Sequence, residues 1–276
     1  GRDSHREVST LGLHGRSSRP VTVSVYETSP SSAQYLLLHY GTAEQVFPYP
    51  FGPREALSFP VRCVTECLDQ ERLGPDARAL DLGCAVGRSS FELARYCPEV
   101  IGIDYSSAFI RIASTMAETG FIEHPVWSEG ELNETVRFEA PADVDRSRLT
   151  FKQGDAMNPD PAWTGFDVVL MSNLIDRLTD PRACIRALPR LLNPGGQLII
   201  TSPCTWAEEH TPRENWLGGF EEQGRPVKTE ETLTKLLQPD FERVAEKNLP
   251  FLIRDHARKF QWSVAQATMW RRHPAS

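Results

Sequence analysis

The stretch ARALDLGCAVGRSS, Ala77 to Ser90, decides how the rest of the chain is read. Its first half is an apolar run of the length of one buried strand, and Asp81 stands where that strand should end. Gly83 and Gly87 follow in a turn whose Cys84 and Ala85 are small, so the backbone there can approach a ligand closely. SSFELARYC then takes up helical spacing. Strand, glycine turn and helix make the opening unit of an α/β sheet, in which ligands bind outside the carboxyl ends of the strands. The turn lacks the G-x-G-x-x-G spacing of a dinucleotide site, and no G-K-[ST] of a phosphate loop follows.

Downstream, strands and helices alternate. EVIGID is a strand and SSAFIRIASTMAETG a helix; RLTFKQGD and FDVVLMSN are strands, DPRACIRALPRLL is a helix, and GGQLIITSP is a strand announced by the turn NPGG. Near the end FERVAEKNL and FQWSVAQATMWRR alternate like half-exposed strands. The pattern predicts an α/β, doubly wound, mainly parallel sheet with an antiparallel edge. Upstream, SSAQYLLLHYG reads as a short helix stopped by Gly41, and VRCVTECLDQERLG as a helix ended by Gly74-Pro75. FIEHPVWSEGELNETVRFEAPADVDRS, acidic and polar, interrupts the alternation and is expected to be a surface insertion, with a hairpin as one form it could take.

The expected organisation is a flexible linker or tail over 1–30, an N-terminal helical cap or lid over 31–75, and a ligand-binding domain over 76–276 with an insertion at about 121–147. The opening has no apolar periodicity and begins with Gly1 rather than methionine. The net charge of -7, without a cluster of lysine or arginine, argues against nucleic acid and for a small-molecule partner. No apolar run is of membrane-spanning length, and the first twenty residues lack the apolar core of a signal peptide. The six cysteines are scattered without C-x-x-C spacing, which predicts free thiols, no structural metal and a cytoplasmic chain.

Two strand ends carry further candidates. Asp104, about 20 residues beyond the glycine turn, is placed to accept hydrogen bonds from ribose hydroxyls. In QGDAM, Asp155 can meet an adenine amino group, with Ala156 and Met157 along the ring. Taken singly, each acid reads equally as a helix cap. Together with Asp81, Gly83, Cys84, Ala85 and Gly87, these residues resemble the class I S-adenosylmethionine-dependent methyltransferases, with Ala85 where that family has a middle glycine. The resemblance covers about 61–271 and implies a Rossmann-like sheet of seven strands with the last antiparallel. It implies that Asp81 and the Gly83–Gly87 backbone hold the methionine part and that Asp104 takes the ribose. Tyr105 and Ser106 should then lie beside the adenine, Asp155 and Ala156 should face it, and Asn173 should face the methyl centre as the catalytic candidate.

A sharper resemblance rests on QYLLLHYG, PYPFGPREALSFPVRC, LDLGCAVGRSSFELAR, VIGIDYS, SPCTWAEEHTPRENWLGG and KFQWSVAQATMWRR. Together they are similar to the 4-mercaptohistidine methyltransferase domain of ovothiol biosynthesis. That resemblance implies N-methylation of 5-thiohistidine at the side-chain-proximal ring nitrogen, giving ovothiol A. It also implies an origin in, or partnership with, an upstream sulfoxide synthase that makes the histidine carbon–sulfur bond. The rival expectations are a methyltransferase of another small amino acid or amine and a non-catalytic S-adenosylmethionine-binding module.

For the acceptor, the proline-stiffened FPYPFGPRE reads as a lid in which Phe47, Tyr49 and Phe51 form walls and Arg54 a fork for a carboxylate. The duller expectation is that these aromatics staple the N-terminal arm to the domain. Asp176 and Arg177 in SNLIDRL are candidates for the acceptor's ammonium and carboxylate, or else a cap and a surface ion pair. Trp206, Glu208 and Glu209 are expected to close the pocket from the other side, and His39 and His256 are candidate proton acceptors.

Overall fold

The computed structural model describes residues 30–275, so the expected tail falls almost wholly outside the described residues. Its centre is a seven-stranded sheet of β1 (Arg78–Leu82), β2 (Glu99–Asp104), β5 (Leu149–Gln153), β6 (Phe166–Ser172), β7 (Leu192–Ser202), β10 (Phe241–His256) and β11 (Lys259–Arg272). Strands β3 (Phe121–Glu129) and β4 (Leu132–Glu139) form a separate hairpin, as do the short β8 (Phe220–Glu222) and β9 (Arg225–Val227). The order across the large sheet is β10-β11-β7-β6-β1-β2-β5. The pairs β1–β2, β1–β6, β2–β5 and β6–β7 are parallel, whereas β11 runs antiparallel to both its neighbours. This is the α/β, Rossmann-like sheet expected from the alternation, with its antiparallel pair at one edge.

Residues along β1 and β6 are buried almost without a break, as a strand covered on both faces must be. One core layer joins Phe91, Val100, Ile112, Met116 and Leu170, and the other joins Leu80, Ile103, Met171, Leu188 and Trp270. Helices α4 (Arg88–Leu93), α5 (Ser107–Thr119), α6 (Pro181–Leu191) and α7 (Thr229–Leu237) supply the covering residues. At Gly87 the chain turns from β1 into α4 with φ +94°, and a Cβ there would stand 2.7 Å from the Phe151 ring. Glycine is required at that point both by conformation and by space.

Strand β1 reverses the order of the sheet, since β2 lies on one side of it and β6 on the other. The chain leaves β1, β2, β5 and β6 at one end, and that end is the crevice where an open α/β sheet holds ligands. Helices α1 (Pro30–Tyr40), α2 (Ala43–Val46) and α3 (Phe59–Thr65) belong to the segment before β1. α1 packs against α3, α4, β3, β4 and β10.

Three local expectations need correction. The helix read through VRCVTECLDQERLG stops at Thr65, because the buried Gln197 side chain captures Asp69 by both its N–H (2.9 Å) and its C=O (2.8 Å). Backbone groups so held cannot continue a helical ladder. Strand β10 runs 16 residues, to His256, well past FERVAEKNL, whereas β11, 14 residues long, coincides with FQWSVAQATMWRR to within one residue. Their tip packs on the β3–β4 hairpin, which is the expected insertion. The acidic-started helix α7 was not anticipated, although TEETLTKLL carries apolar residues at helical spacing.

Candidate functional site

A cavity of about 500 Å³ opens at the carboxyl ends of the parallel strands, within the size range of small-molecule sites. From β1 and its turn it takes Asp81, Gly83, Cys84 and Ala85; from the end of β2, Asp104 and Tyr105; from the end of β5, Asp155 and Ala156; and after β6, Asn173, Asp176 and Arg177. Four segments far apart in the chain meet because each is the loop at the same end of a neighbouring strand. Gly87 and Ser106 do not reach the wall. Gly87 is the N-cap of α4, and the Ser106 hydroxyl accepts from the Phe109 amide at 3.2 Å as the N-cap of α5.

The wall is strongly acidic. Asp81, Asp104, Asp155 and Asp176 face a single guanidinium, that of the exposed Arg177. Asp81 accepts the Ser90 hydroxyl at 2.7 Å through one oxygen, while its other oxygen is buried without a partner. Burial, partly offset by Ser90 and reinforced by the neighbouring Asp104, pushes its carboxyl up to about 7. Asp104 accepts the Ala85 amide at 2.9 Å and the Ser106 amide at 2.8 Å, and burial still holds its carboxyl above the usual range. Asp176 is wholly buried, accepts the Thr205 amide at 3.0 Å through one oxygen, and leaves the other unpaired; burial raises it too. Clustered carboxyls with orphan oxygens are the complement of a cationic ligand.

Backbone strain collects at the same place. Ala85 (φ +48°) and Asn173 (φ +51°) both sit in the left-handed region that side chains disfavour. Asn173 is fixed there by Thr201: its amide donates to the Thr201 carbonyl and hydroxyl, and the Thr201 hydroxyl donates to its side-chain oxygen at 2.9 Å. This leaves the Asn173 side-chain NH2 without a hydrogen-bond partner among the described residues, at the cavity wall.

The rest of the wall comes from segments with no cofactor signature. Tyr35, Leu38 and His39 of α1, Phe59 and Pro60 of α3, Ser172, Pro203, and Phe251 and Ile253 of β10 enclose the other half. The Phe59 and Phe251 rings meet at 5.0 Å, and Tyr35 lies 4.8 Å from Phe109. His39 Nδ1 accepts the Arg88 amide at 3.1 Å, and burial with the Arg88 charge drives its basicity down to about 3. Of these residues only His39 had been a candidate; Tyr35, Phe59 and Phe251 had not. Tyr35 and His39 stand one turn apart on either side of the apolar run Leu36–Leu38, a pattern that could have flagged them.

The aromatic stretch before α3 lies elsewhere. Phe47 and Tyr49 pack edge-on against Phe260 at 4.9 and 6.2 Å, and the Tyr49 hydroxyl donates to the Ala257 carbonyl at 2.9 Å. Phe51 stacks on Tyr49 and is 69% exposed, and Arg54 donates to the Tyr49 carbonyl at 2.8 Å. None of Tyr49, Phe51 and Arg54 lines the cavity. The stretch staples the chain to the tip of the β10–β11 hairpin, because aromatic faces find more contact there than over an open crevice. Trp206 is turned away as well: it donates to the Thr229 hydroxyl at 2.8 Å and lines a second, wide cavity. Glu209 pairs with His210 at 3.3 Å outside the wall, Glu208 is not in the wall, and His256 packs at a tilt against Trp127, ring centres 4.7 Å apart, at the hairpin tip.

All six cysteines are free, and five are buried, with Cys63, Cys97 and Cys184 pushed up to about 12 by burial. Among the described residues no group of three metal-ligating side chains exists, and no helix is long and apolar enough to cross a membrane.

Residues 54–239 match the family model described as "Methyltransferase domain". Phosphoethanolamine N-methyltransferase of Triticum aestivum is 26% identical over 64% of this chain and 30% of its own length. Ubiquinone biosynthesis O-methyltransferase of Ruegeria pomeroyi is 26% identical over 72% of this chain and 71% of its own. This chain thus spans under a third of the first relative and most of the second. The crystal structure of the BH2331 protein of Bacillus halodurans C-125 superposes with a TM-score of 0.50 at 13% identity, over 79% of this chain and 100% of that one, a likeness of fold. With a match over most of its length and the sheet and crevice that go with it, the chain belongs to the methyltransferase domain family, as a class I S-adenosylmethionine-dependent member.

Proposed function

We propose that the protein transfers the methyl group of S-adenosylmethionine to the side-chain-proximal ring nitrogen of 5-thiohistidine, giving ovothiol A. The observation that carries this reading is where the most specific sequence stretches fall. QYLLLHYG brings Tyr35 and His39 to the cavity, SFPVRC brings Phe59 and Pro60, and SPC brings Pro203. The stretches that distinguish the thiohistidine family thus border the half of the cavity that cofactor motifs do not explain. The methyltransferase relatives, one acting on phosphoethanolamine and one in ubiquinone biosynthesis, support a small-molecule acceptor. Phosphoethanolamine itself suits this wall poorly, since one guanidinium stands against four carboxyls.

The acidic, orphan-bearing strand ends fit the cofactor. Asp81 with the Gly83–Ala85 backbone is assigned to its methionine part, Asp104 to the ribose, Tyr105, Asp155 and Ala156 to the adenine, and Asn173 to the region of the methyl. Gly87 acts through the turn geometry and Ser106 through the cap of α5. S-adenosylmethionine supplies, when bound, a methyl already activated on a sulfonium. The chain therefore has to orient the acceptor and exclude water, and orientation alone supplies roughly 7 to 11 kcal/mol in favourable cases. Segment 31–75 acts as the cap over the domain of 76–276. Phe59 and Phe251 wall the acceptor ring, Asp176 receives the ammonium, and Arg177 at the mouth, 2.5 Å from His210, receives the carboxylate.

Mass spectrometry of the protein incubated with S-adenosylmethionine and, separately, 5-thiohistidine, histidine and cysteine tests this reading. A ring-nitrogen methyl located by fragmentation on 5-thiohistidine alone is expected. Equal methylation of histidine, or none of any acceptor by protein that binds the cofactor, would refute it.

A further inference from the structure

A thioimidazole offers two nucleophiles, and its sulfur is intrinsically the better one. An enzyme that methylates the ring nitrogen has to occupy the sulfur. Resting on the substrate reading above, we propose that His39, as a neutral Nε2–H donor flanked by the Tyr35 hydroxyl, hydrogen-bonds the acceptor's thiolate sulfur and leaves the ring nitrogen to take the methyl.

The geometry at His39 fixes which nitrogen can do this. Nδ1 accepts the Arg88 amide at 3.1 Å, so in the neutral ring the proton resides on Nε2. Nε2 has no protein partner among the described residues and is not one of the sealed polar atoms. The space onto which it opens is the cavity that the ring lines. A histidine in this tautomer, with its one lone pair on Nδ1 already taken by the Arg88 amide, faces the cavity as a donor and not as a base, unlike the proton acceptor expected from the sequence. The Tyr35 ring lies 6.0 Å from the His39 ring on the same face of α1, and its hydroxyl has no protein partner among the described residues either. Two donors from one helix face thus border the cavity, and the charges of Arg177, Asp104 and Asp176 reach the Tyr35 hydroxyl there.

The step balances without a protein base. The acceptor thiol ionises and its proton goes to solvent. The ring nitrogen's lone pair forms the N–CH3 bond as the methyl–sulfonium bond breaks, and the sulfonium sulfur keeps that electron pair. The methylated ring then carries the positive charge that offsets the thiolate. Donors on the thiolate stabilise it in place and lower its nucleophilicity.

Two readouts test the assignment. By calorimetry in the presence of S-adenosylhomocysteine, the wild type should prefer 5-thiohistidine to histidine. His39→Phe should lower that preference by about ten- to hundredfold, the worth of a hydrogen bond to a charged group. Mass spectrometry should show S-methyl product appearing beside the N-methyl one. His39→Gln, which can accept from Arg88 and still donate, should restore both. Tyr35→Phe, which deletes one hydroxyl, should lower the preference several-fold and carries the test if His39→Phe does not fold. Wild-type preference and purely N-methyl product in the Phe variants would overturn this inference alone. A wild type that neither binds nor methylates 5-thiohistidine would overturn the substrate reading and this inference with it.

Discussion

The half of the cavity proposed for the cofactor is made where strands end, and the half proposed for the acceptor where remote segments are brought together. In the first, Asp81 lies in β1, Asp104 ends β2, and Asp155 and Asn173 follow β5 and β6, and much of the work falls to backbone: the Ala85 and Ser106 amides fix Asp104, and Thr201 fixes Asn173. In the second, α1, α3 and β10 contribute side chains from positions more than 200 residues apart, from Tyr35 to Phe251. The difference teaches that the two halves should fail differently. Damage to the first should cost cofactor, and damage to the second should cost acceptor.

The largest expected effect lies in the acceptor half. Phe59 is almost fully buried against Phe251 yet has one side on the cavity. Phe59→Ala should cost about 3 kcal/mol of stability in a denaturant titration, the low end for a buried ring because the cavity already takes part of its surface. It should also raise the acceptor KM more than the cofactor KM. An equal rise in both would merge the two halves.

A pH series sharpens the cofactor half. The Asp81 carboxyl, raised from 3.8 to about 7 by burial, is protonated in the free protein below neutrality. A folded value above the unfolded one means that its contribution to stability is complete below pH 3.8 and lost as pH rises through 7. Binding of a cationic ligand favours the ionised form, so S-adenosylmethionine affinity should rise about tenfold between pH 6 and 8 and then level. Asp81→Asn should flatten that rise. His39, driven down to about 3, should add no limb near 6.5.

The smallest effect is expected outside both halves. Phe51→Ala, at a ring 69% exposed on the hairpin staple, should change stability by no more than about 0.5 kcal/mol and leave both KM values alone. A raised acceptor KM would return the aromatic stretch to the cavity.

The sheet and the strand-end residues were legible because strand burial and the glycine turn are local signals, and the fold then places every strand end at one crevice. The acceptor half was not legible, because nothing local distinguishes Phe251 in β10 or Phe59 in α3 from ordinary core residues. FPYPFGPRE misled for the converse reason. Its composition suits a wall, but the partner that decides its place, Phe260 and the hairpin tip, lies some 200 residues away in the chain. Ser106 shows the same limit at short range, since a serine beside the strand-end Asp104 reads as a ligand contact, while the structure has it capping a helix.

The most direct test of the divided cavity is calorimetric titration of S-adenosylmethionine into the wild type, Asp104→Ala and Tyr35→Phe. Loss of about a hundredfold or more in affinity in Asp104→Ala, two charge-assisted hydrogen bonds' worth, with Tyr35→Phe close to wild type, is the expected result. Wild-type affinity in Asp104→Ala, or an equal loss in both variants, would contradict it.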